Sequence, residues 1–341
     1  MNDESEFRDR HILVVGGAGY VGTVLVNQLL CKRCRVRVAD NLIYSNDPLL
    51  MQHWNDPMFS YVNMDLRFDS TFADALEGIT DIVFLAALVG DPITKKYPKQ
   101  SHDINVVGTV KFLEAVETIQ PLKFIFVSTC SNYGMHTAET PATEDSELNP
   151  LSIYAENKVE IENKLLKNDH GIPFTILRFA TAFGLSPRMR FDLTVSEFTR
   201  DLYLGKELLV YDAETWRPYC HVNDMAEAML LVLKADQDLV RGKVFNTGGD
   251  LNNYTKRSIV EIIQKHLPTA NVHYQYHGGD PRNYRVDFSK IKEDLEFSPM
   301  FSVEQGIIEL LDALKCGMFQ FADDNPNFYG NRIIPRFEAV E

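Results

Sequence analysis

A glycine-rich run near the amino terminus constrains the fold of this chain more than any other feature. The run, GGAGYVG at residues 16–22, follows an apolar stretch from His11 to Val15 and opens a segment with helical spacing of apolar residues. Between a strand and a helix, such glycines permit a tight turn, a close approach of phosphates to the backbone, and close helix–strand packing. The helix amino terminus adds unpaired N–H groups and a positive dipole end. The run therefore predicts a parallel α/β sheet whose first turn binds a dinucleotide.

An acidic residue, Asp40, ends the second predicted strand, which begins at Arg35. A carboxylate at this point accepts hydrogen bonds from ribose hydroxyls and repels a 2′-phosphate, which favours NAD over NADP. Arg33, Arg35 and Arg37 complicate this expectation, because a nearby arginine can accept that phosphate. Arg35 and Arg37 alternate with apolar residues, so we expect them on the strand face opposite the buried one.

Strands and helices alternate through the first half of the chain. Further apolar runs lie at residues 81–85, 123–128 and 174–179, and helical patterns at 105–118, 154–168, 225–234 and 256–266. This alternation predicts an α/β fold, a Rossmann-type doubly wound parallel sheet with a smaller C-terminal α/β substrate domain. We expect an NAD-binding domain over residues 1–178 and a substrate domain over 179–341, with segments such as 217–248 able to return to the first domain.

Composition excludes several classes of protein. A formal net charge of -14 argues against partners such as nucleic acid or an anionic membrane, which need a basic surface. No apolar run approaches a membrane span, and residues 1–10 lack the apolar core of a signal peptide. Five scattered cysteines, including the lone pair Cys31 and Cys34, predict neither a disulfide framework nor a metal site. We therefore expect a cytoplasmic protein without a bound metal.

Two further patterns carry candidate chemistry. Tyr154 and Lys158 stand four residues apart on a predicted helix, so they share a face, and an ammonium nearby lowers the pKa of a tyrosine. The cluster VSTCSNYG at residues 127–134 follows a predicted strand, at the sheet edge where ligands of such folds bind. Thr129 in that cluster is a candidate hydrogen-bond partner of a reacting oxygen. His221, Asn223 and Asp224 have a structural explanation, since Asn223 or Asp224 can cap a helix that starts near Met225.

These patterns occur in a recognisable order with LRFATAFG at residues 177–184 and RPYCHVND at 217–224. Together they resemble the extended short-chain dehydrogenase/reductases, specifically the NAD-dependent nucleotide-sugar epimerase/dehydratase family, over about residues 12–311. The resemblance implies NAD as cofactor, a nucleotide-diphosphate sugar as substrate, and a homodimer formed by helices near Asn105 and Tyr154. The stretch RMRFDL at residues 188–193 resembles a subgroup linked to sugars of bacterial surface polysaccharides.

The resemblance also assigns roles to residues of this chain. Tyr154 matches the catalytic base, Lys158 the catalytic lysine and Thr129 the catalytic hydroxyl. The cofactor-binding residues would be Gly16, Gly19, Tyr20, Val21, Gly22, Asp40, Asn41, Asp65, Leu66, Leu85, Ala86, Ala87, Asn105, Tyr154, Lys158 and Phe179. The substrate-binding residues would be Thr129, Thr181, Arg188, Leu193, Arg217 and Arg282. Arg217 and Arg282 match two arginines that hold the diphosphate, for which guanidinium groups are well suited.

The reaction depends on the fate of the 4-keto sugar that oxidation at C4 produces. The family's 4,6-dehydratases carry Asp-Glu directly after the threonine, where this chain has Cys130 and Ser131, which makes dehydration the less favoured outcome. The family's 3,5-epimerases use a cysteine two places after the hydroxyl residue, and Cys130 is one place short. We favour a 4-epimerase, with a heptose-type C4 dehydrogenase or ketoreductase as the alternative. A non-enzymatic NAD-binding scaffold is least favoured, because both Tyr154 and Lys158 are present.

Overall fold

The computed structural model describes residues 7, 9–135, 139–167, 171–279, 282–329 and 334. The strands, in chain order, are β1 His11–Val15, β2 Arg35–Asp40, β3 Phe59–Asn63, β4 Asp81–Phe84, β5 Lys123–Thr129, β6 Phe174–Phe179, β7 Thr181–Phe183, β8 Leu208–Tyr211, β9 Trp216–His221, β10 Lys243–Thr247, β11 Asn253–Thr255 and β12 Val272–Gln275.

The α-helices are α1 Gly22–Cys31, α2 Pro48–Met51, α3 Phe72–Leu76, α4 Asp91–Lys96, α5 Pro98–His102, α6 Thr109–Glu117, α7 Ile153–Lys167, α8 Thr194–Tyr203, α9 Val222–Lys234, α10 Gln237–Val240, α11 Lys256–His266, α12 Ser289–Leu295 and α13 Val303–Lys315. A π-helical turn, Asp103–Gly108, joins α5 to α6. No helix in the described ranges is both long and apolar enough to span a membrane.

Seven strands form one parallel sheet in the order β10-β6-β5-β4-β1-β2-β3. Chain direction across the sheet reverses beside β1, which creates a crevice at the carboxyl ends of β1 and β4. This is the α/β architecture, with a doubly wound parallel sheet, that the alternating pattern predicted.

Both faces of this sheet are buried, which explains its nearly continuous apolar strands. All five residues of β1 are buried. Ile12 and Val14 point into a core with α1 and α9, whereas Leu13 and Val15 point into a second core with α3 and α6.

The remaining strands form two small sheets in the second half of the chain. One has the order β11-β9-β7 and the other pairs β12 with β8. A third apolar core there joins α8, α11 and α13. The chain also returns to the main sheet, because β10 pairs with β6 and α9 packs against α1.

Two local predictions need correction. Helix α9 begins at Val222, earlier than expected, and the side chain of His221 caps it by accepting a hydrogen bond from the Asn223 amide at 3.2 Å. Asp224 instead accepts hydrogen bonds from the backbone of Met300 and Phe301 at 2.9 and 3.1 Å. The helix expected from Asn105 onward starts with the π-helical turn, and such turns are frequent near functional sites.

Candidate active site

A cavity of about 580 Å³ lies at the carboxyl ends of the central strands. Its lining includes Val15, Ala39, Leu85, Thr129 and Phe179, which end or follow β1, β2, β4, β5 and β6. Ligands of doubly wound folds bind in this crevice. Of the residues that the sequence assigned to the site, all but Asp65 and Asn105 line the cavity.

The glycine loop forms the floor of the cavity. Gly16 has a φ of 84° and donates a hydrogen bond to the Ala39 carbonyl at 2.8 Å. A β-carbon on Gly16 would lie 2.7 Å from the Ala86 amide nitrogen, and one on Gly22 would lie 2.7 Å from the Gly17 α-carbon. Since nothing larger than hydrogen fits at either position, the turn and the start of α1 stay close to the sheet.

Asp40 lies at the end of β2, where the glycine loop passes it. Its carboxylate accepts hydrogen bonds from the amides of Ala18 at 3.1 Å and Leu42 at 2.9 Å. Burial raises the pKa of Asp40, and these hydrogen bonds oppose the shift. Arg37 points away, since its guanidinium donates to three carbonyls at the end of α3. Arg35 is exposed, so the two arginines lie as expected.

The two assigned residues outside the cavity support its wall. The Asn105 side chain bonds both the amide and the carbonyl of Leu88, at 2.7 and 3.0 Å. Asp65 pairs with Arg67 at 2.7 Å and accepts from Asn41 at 3.1 Å. Asn105 therefore holds the segment after β4 in place, and Asp65 orients Asn41, which lines the cavity.

Thr129, Tyr154 and Lys158 share one wall of the cavity, at the end of β5 and the start of α7. The Thr129 hydroxyl accepts a hydrogen bond from the Ser131 amide at 3.1 Å. The Lys158 ammonium donates to the Val127 carbonyl at 2.7 Å and lies 4.7 Å from the centre of the Phe126 ring. Because α7 packs against β5, the tyrosine and lysine stand beside the threonine that ends the strand.

The pKa values in this wall follow burial. Burial lowers the pKa of Lys158 to about 7, and the charge of Glu162 opposes this shift. Burial also raises the pKa of Tyr154, opposed by Arg190 and reinforced by Asp91. The sequence pointed to Lys158 as the cation that lowers the tyrosine pKa, whereas in the structure Arg190 has that effect.

A buried polar cluster packs behind the cavity wall that Thr129, Tyr154 and Lys158 share. Arg178 and Glu162 form an ion pair at 2.7 Å with nearly inaccessible side chains. The same glutamate accepts hydrogen bonds from Ser128 and from Asn132, the latter at 2.8 Å. This cluster ties the ends of β5 and β6 to α7, the helix that carries Tyr154.

Sequence reasoning missed three charged groups in the cavity: Asp91, Arg190 and Lys256. Asp91, the first residue of α4, forms an ion pair with Arg282 at 2.7 Å. Arg190 lines the cavity and pairs with Asp192 at 2.6 Å. Asp91 stands at a helix start that follows a strand end, and this position could have marked it in the sequence as a candidate site residue. Its ion pair with Arg282, a residue far along the chain, could not have been predicted from the sequence.

The described cysteine, histidine and acidic side chains are the groups that could form a metal centre or a reactive thiol. Over the part of the chain that the structure describes, no three Asp, Glu, His or Cys side chains are grouped to hold a metal ion. Cys130 is buried and donates a hydrogen bond to the Arg178 carbonyl at 3.1 Å, and burial raises its pKa well above the ordinary value. Cys31 and Cys34 are unbridged.

The fold and the cavity define a dinucleotide-binding α/β protein. Residues 12–248 match the model of the NAD dependent epimerase/dehydratase family, and the chain belongs to that family. It is therefore an NAD-dependent enzyme.

Characterised members of the family span several reactions. The UDP-glucuronate 4-epimerase of Thermodesulfobacterium geofontis is 25% identical, covering 89% of this chain and 99% of that protein. UDP-glucuronic acid decarboxylase 6 of Arabidopsis thaliana is 28% identical, covering 87% and 86%. The crystal structure of a dTDP-glucose 4,6-dehydratase from Streptomyces venezuelae with NAD bound is 26% identical, has a TM-score of 0.80, and covers 89% and 97%. Similarity thus places the chain among enzymes of nucleotide sugars without selecting one reaction.

Proposed function

We propose that this protein is an NAD-dependent nucleotide-sugar 4-epimerase that acts through a transient 4-keto sugar. One observation carries the proposal: Thr129, Tyr154 and Lys158 share a cavity wall, and neither of the two residues that follow Thr129 is a carboxylate. Among described cavity-lining residues, the carboxylates are Asp40 and Asp91. Asp40 lies at the end of β2, and Asp91 is paired with Arg282.

The chain's own groups supply the proton transfers of such a reaction. Tyr154 takes the proton of the C4 hydroxyl and later returns it, and Thr129 hydrogen-bonds the same oxygen. NAD, held by the glycine loop and Asp40, would supply the acceptor for the C4 hydride and the donor that returns it. The charge of Arg190 opposes the rise in the Tyr154 pKa and so favours the tyrosinate. Lys158, one helical turn away, gains its charge only as the pH falls through about 7. Hydride is removed and returned, so no external oxidant is needed.

The residues after Thr129 argue against a dehydratase. Dehydration requires removal of the C5 proton and protonation of the leaving C6 hydroxyl, each by a positioned acid or base. The Cys130 thiol is held against the Arg178 carbonyl, with its pKa raised by burial. Ser131 lines the cavity, but an ordinary hydroxyl does not ionise near neutral pH. An epimerase needs neither group.

The diphosphate of the substrate has two candidate partners on the second half of the chain. Arg217 lies on β9 and Arg282 lies between β12 and α12, and both line the cavity. Guanidinium groups bind phosphate oxygens through paired N–H donors. We propose that a diphosphate competes with Asp91 for Arg282 when the nucleotide sugar binds.

The test is a panel of UDP-, GDP-, CDP- and dTDP-sugars, with products analysed by mass spectrometry and NMR. A product of unchanged mass, inverted at C4, is expected for one of them. Loss of two hydrogens would instead identify a C4 dehydrogenase, loss of water a dehydratase, and loss of carbon dioxide from a uronic acid a decarboxylase. Tyr154→Phe is the control, and inversion that continues undiminished in this variant contradicts the assigned base.

The proposal also includes the setting of the enzyme. We place it in the cytoplasm as a homodimer that makes sugars for bacterial surface polysaccharides, supported by the family resemblance and by the motif at residues 188–193. Light scattering on the purified protein tests the dimer, and a monomeric mass contradicts it.

A further inference from the structure

The segment after β7, which begins at Gly184, packs against the glycine loop. The Tyr20 hydroxyl donates to the Gly184 carbonyl at 2.6 Å, and the Ser186 hydroxyl donates to the Tyr20 carbonyl at 2.7 Å. Ser186 also lies 3.1 Å from the hydroxyl of Thr23, in the first turn of α1. These bonds join residues more than 160 positions apart in the chain, so the segment is positioned by the cofactor loop itself.

Arg188 extends from this segment into the cavity. Its residue is only 7% exposed, and its guanidinium carbon lies 4.3 Å from the centre of the Tyr44 ring. The Arg188 amide donates to the Ser186 hydroxyl at 3.2 Å, which ties its backbone to the same anchor. The side chain is therefore held between the glycine loop and the loop that follows β2.

Two N–H groups of this arginine have no hydrogen-bond partner. Nε and Nη2 of Arg188 are buried, and no acceptor among the described residues reaches them. Neighbouring Arg190 differs, because Asp192 pairs with it at 2.6 Å. A buried guanidinium with unpaired donors is costly unless a ligand supplies the acceptors.

The charges around Arg188 indicate that it lies at the end of the cavity next to β2. Burial and the charge of Arg190 lower the pKa of Arg188, while Tyr44, Asp192 and Asp40 oppose this. Asp40 and Tyr44 belong to the end of β2 and the loop after it, where an acidic residue contacts the adenosine ribose in such folds. Arg217, by contrast, lies on β9, and its guanidinium carbon is 5.2 Å from the centre of the Tyr284 ring.

We infer that Arg188 binds the phosphate next to adenosine in NAD, through its unpaired Nε and Nη2, rather than the substrate. The sequence grouped Arg188 with the substrate residues, but its anchors belong to the cofactor loop. A guanidinium fork matches two phosphate oxygens, and the amino terminus of α1 faces the same diphosphate. This inference rests on the NAD dependence of the family and does not depend on the epimerase reaction.

Binding measurements test the inference without turnover. Calorimetry on purified protein, with residual NAD quantified after denaturation, gives the Kd of NAD and of ADP-ribose. UDP and dTDP, added to NAD-saturated protein, serve as probes of the substrate site. Arg188→Met is expected to weaken NAD and ADP-ribose binding by about 10- to 100-fold, as for loss of a charged hydrogen bond, and to leave UDP and dTDP unchanged. Arg217→Met is the matched control and should retain NAD affinity.

The opposite results overturn the inference. An NAD affinity equal to that of the wild type, or a loss confined to UDP and dTDP, would return Arg188 to the substrate. A loss seen with NADP and not with NAD would place it at a 2′-phosphate instead. Arg188→Lys keeps the charge without the planar fork, so it should lose less than Arg188→Met. Equal losses in the two variants would show that the contact depends on the planar fork as well as on the charge.

Discussion

Replacing Lys158 with methionine should make the protein more stable near neutral pH while removing its activity. Burial lowers the pKa of this lysine from its ordinary value of 10.5 to about 7. At roughly 1.4 kcal/mol for each pH unit, that interval corresponds to a cost of roughly 5 kcal/mol for keeping the ammonium inside the fold. The side chain is only 5% exposed, so water does little to reduce this cost.

Part of the expected gain in stability is lost because the Lys158 ammonium has a hydrogen-bond partner. Lys158 donates to the Val127 carbonyl at 2.7 Å, and methionine leaves that acceptor unpaired. An unsatisfied buried acceptor costs about 1–3 kcal/mol. We therefore expect Lys158→Met to raise the free energy of unfolding by about 2–4 kcal/mol at pH 7 and below.

The pH dependence separates this explanation from a general packing effect. Below about pH 7, Lys158 is protonated in both states and the full cost is present. Between about 7 and 10.5 only the unfolded chain keeps the proton, so the stability of the wild type rises with pH. Over this range the advantage of Lys158→Met should shrink by about 1.4 kcal/mol for each pH unit.

Urea unfolding followed by circular dichroism, at several pH values from 6 to 9.5, measures both effects. Lys111→Met, at an exposed position of α6, is the matched control and should change the free energy of unfolding by less than about 0.5 kcal/mol. A stability difference between Lys158→Met and wild type that does not vary with pH would refute the reasoning.

Three further changes test other parts of the site. Arg178→Met leaves Glu162 buried without its partner and should lower the free energy of unfolding by about 3–5 kcal/mol. Adding Glu162→Gln should recover part of this loss, measured by urea unfolding, and a double variant without any recovery would contradict the ion pair. Gly22→Ala places a methyl group 2.7 Å from the Gly17 α-carbon, so it should lower the free energy of unfolding by about 1–3 kcal/mol and raise the Kd of NAD. An unchanged Kd in calorimetry would count against the packing argument. Cys130→Ala should retain turnover within a few-fold in product NMR, and a loss of about 100-fold or more would show that the thiol acts as an acid or base.

Much of the first half of the fold could be predicted because its elements are locally encoded. Apolar runs such as β1 and β6 sit in a sheet covered on both faces, so their sequences are continuous. The helix boundaries were less accurate, as at α9, where His221 caps the helix. An imidazole acting as a cap is not a pattern that the usual capping residues would reveal.

The proposed catalytic residues could be placed together in the fold for a similar reason. Thr129 ends a strand, and Tyr154 and Lys158 lie one helical turn apart, so local spacing already places them at one sheet edge and on one helix face. Their pKa values could not be predicted in the same way. Burial sets the pKa values of Tyr154 and Lys158, and burial depends on what packs around them.

The sequence by itself determined the glycine turn, the acid at the end of β2 and the alternation of strands and helices in the first half, because these follow from local backbone and side-chain preferences. Only the tertiary structure decided which distant charges meet in the cavity. It pairs Asp91 with Arg282 and brings Arg188 against Tyr44. Such contacts depend on how separate layers pack, and no local pattern records which residues of two layers will face each other. The glycine loop thus indicated a dinucleotide, but only the packing of the segment after β7 brings Arg188 beside that loop.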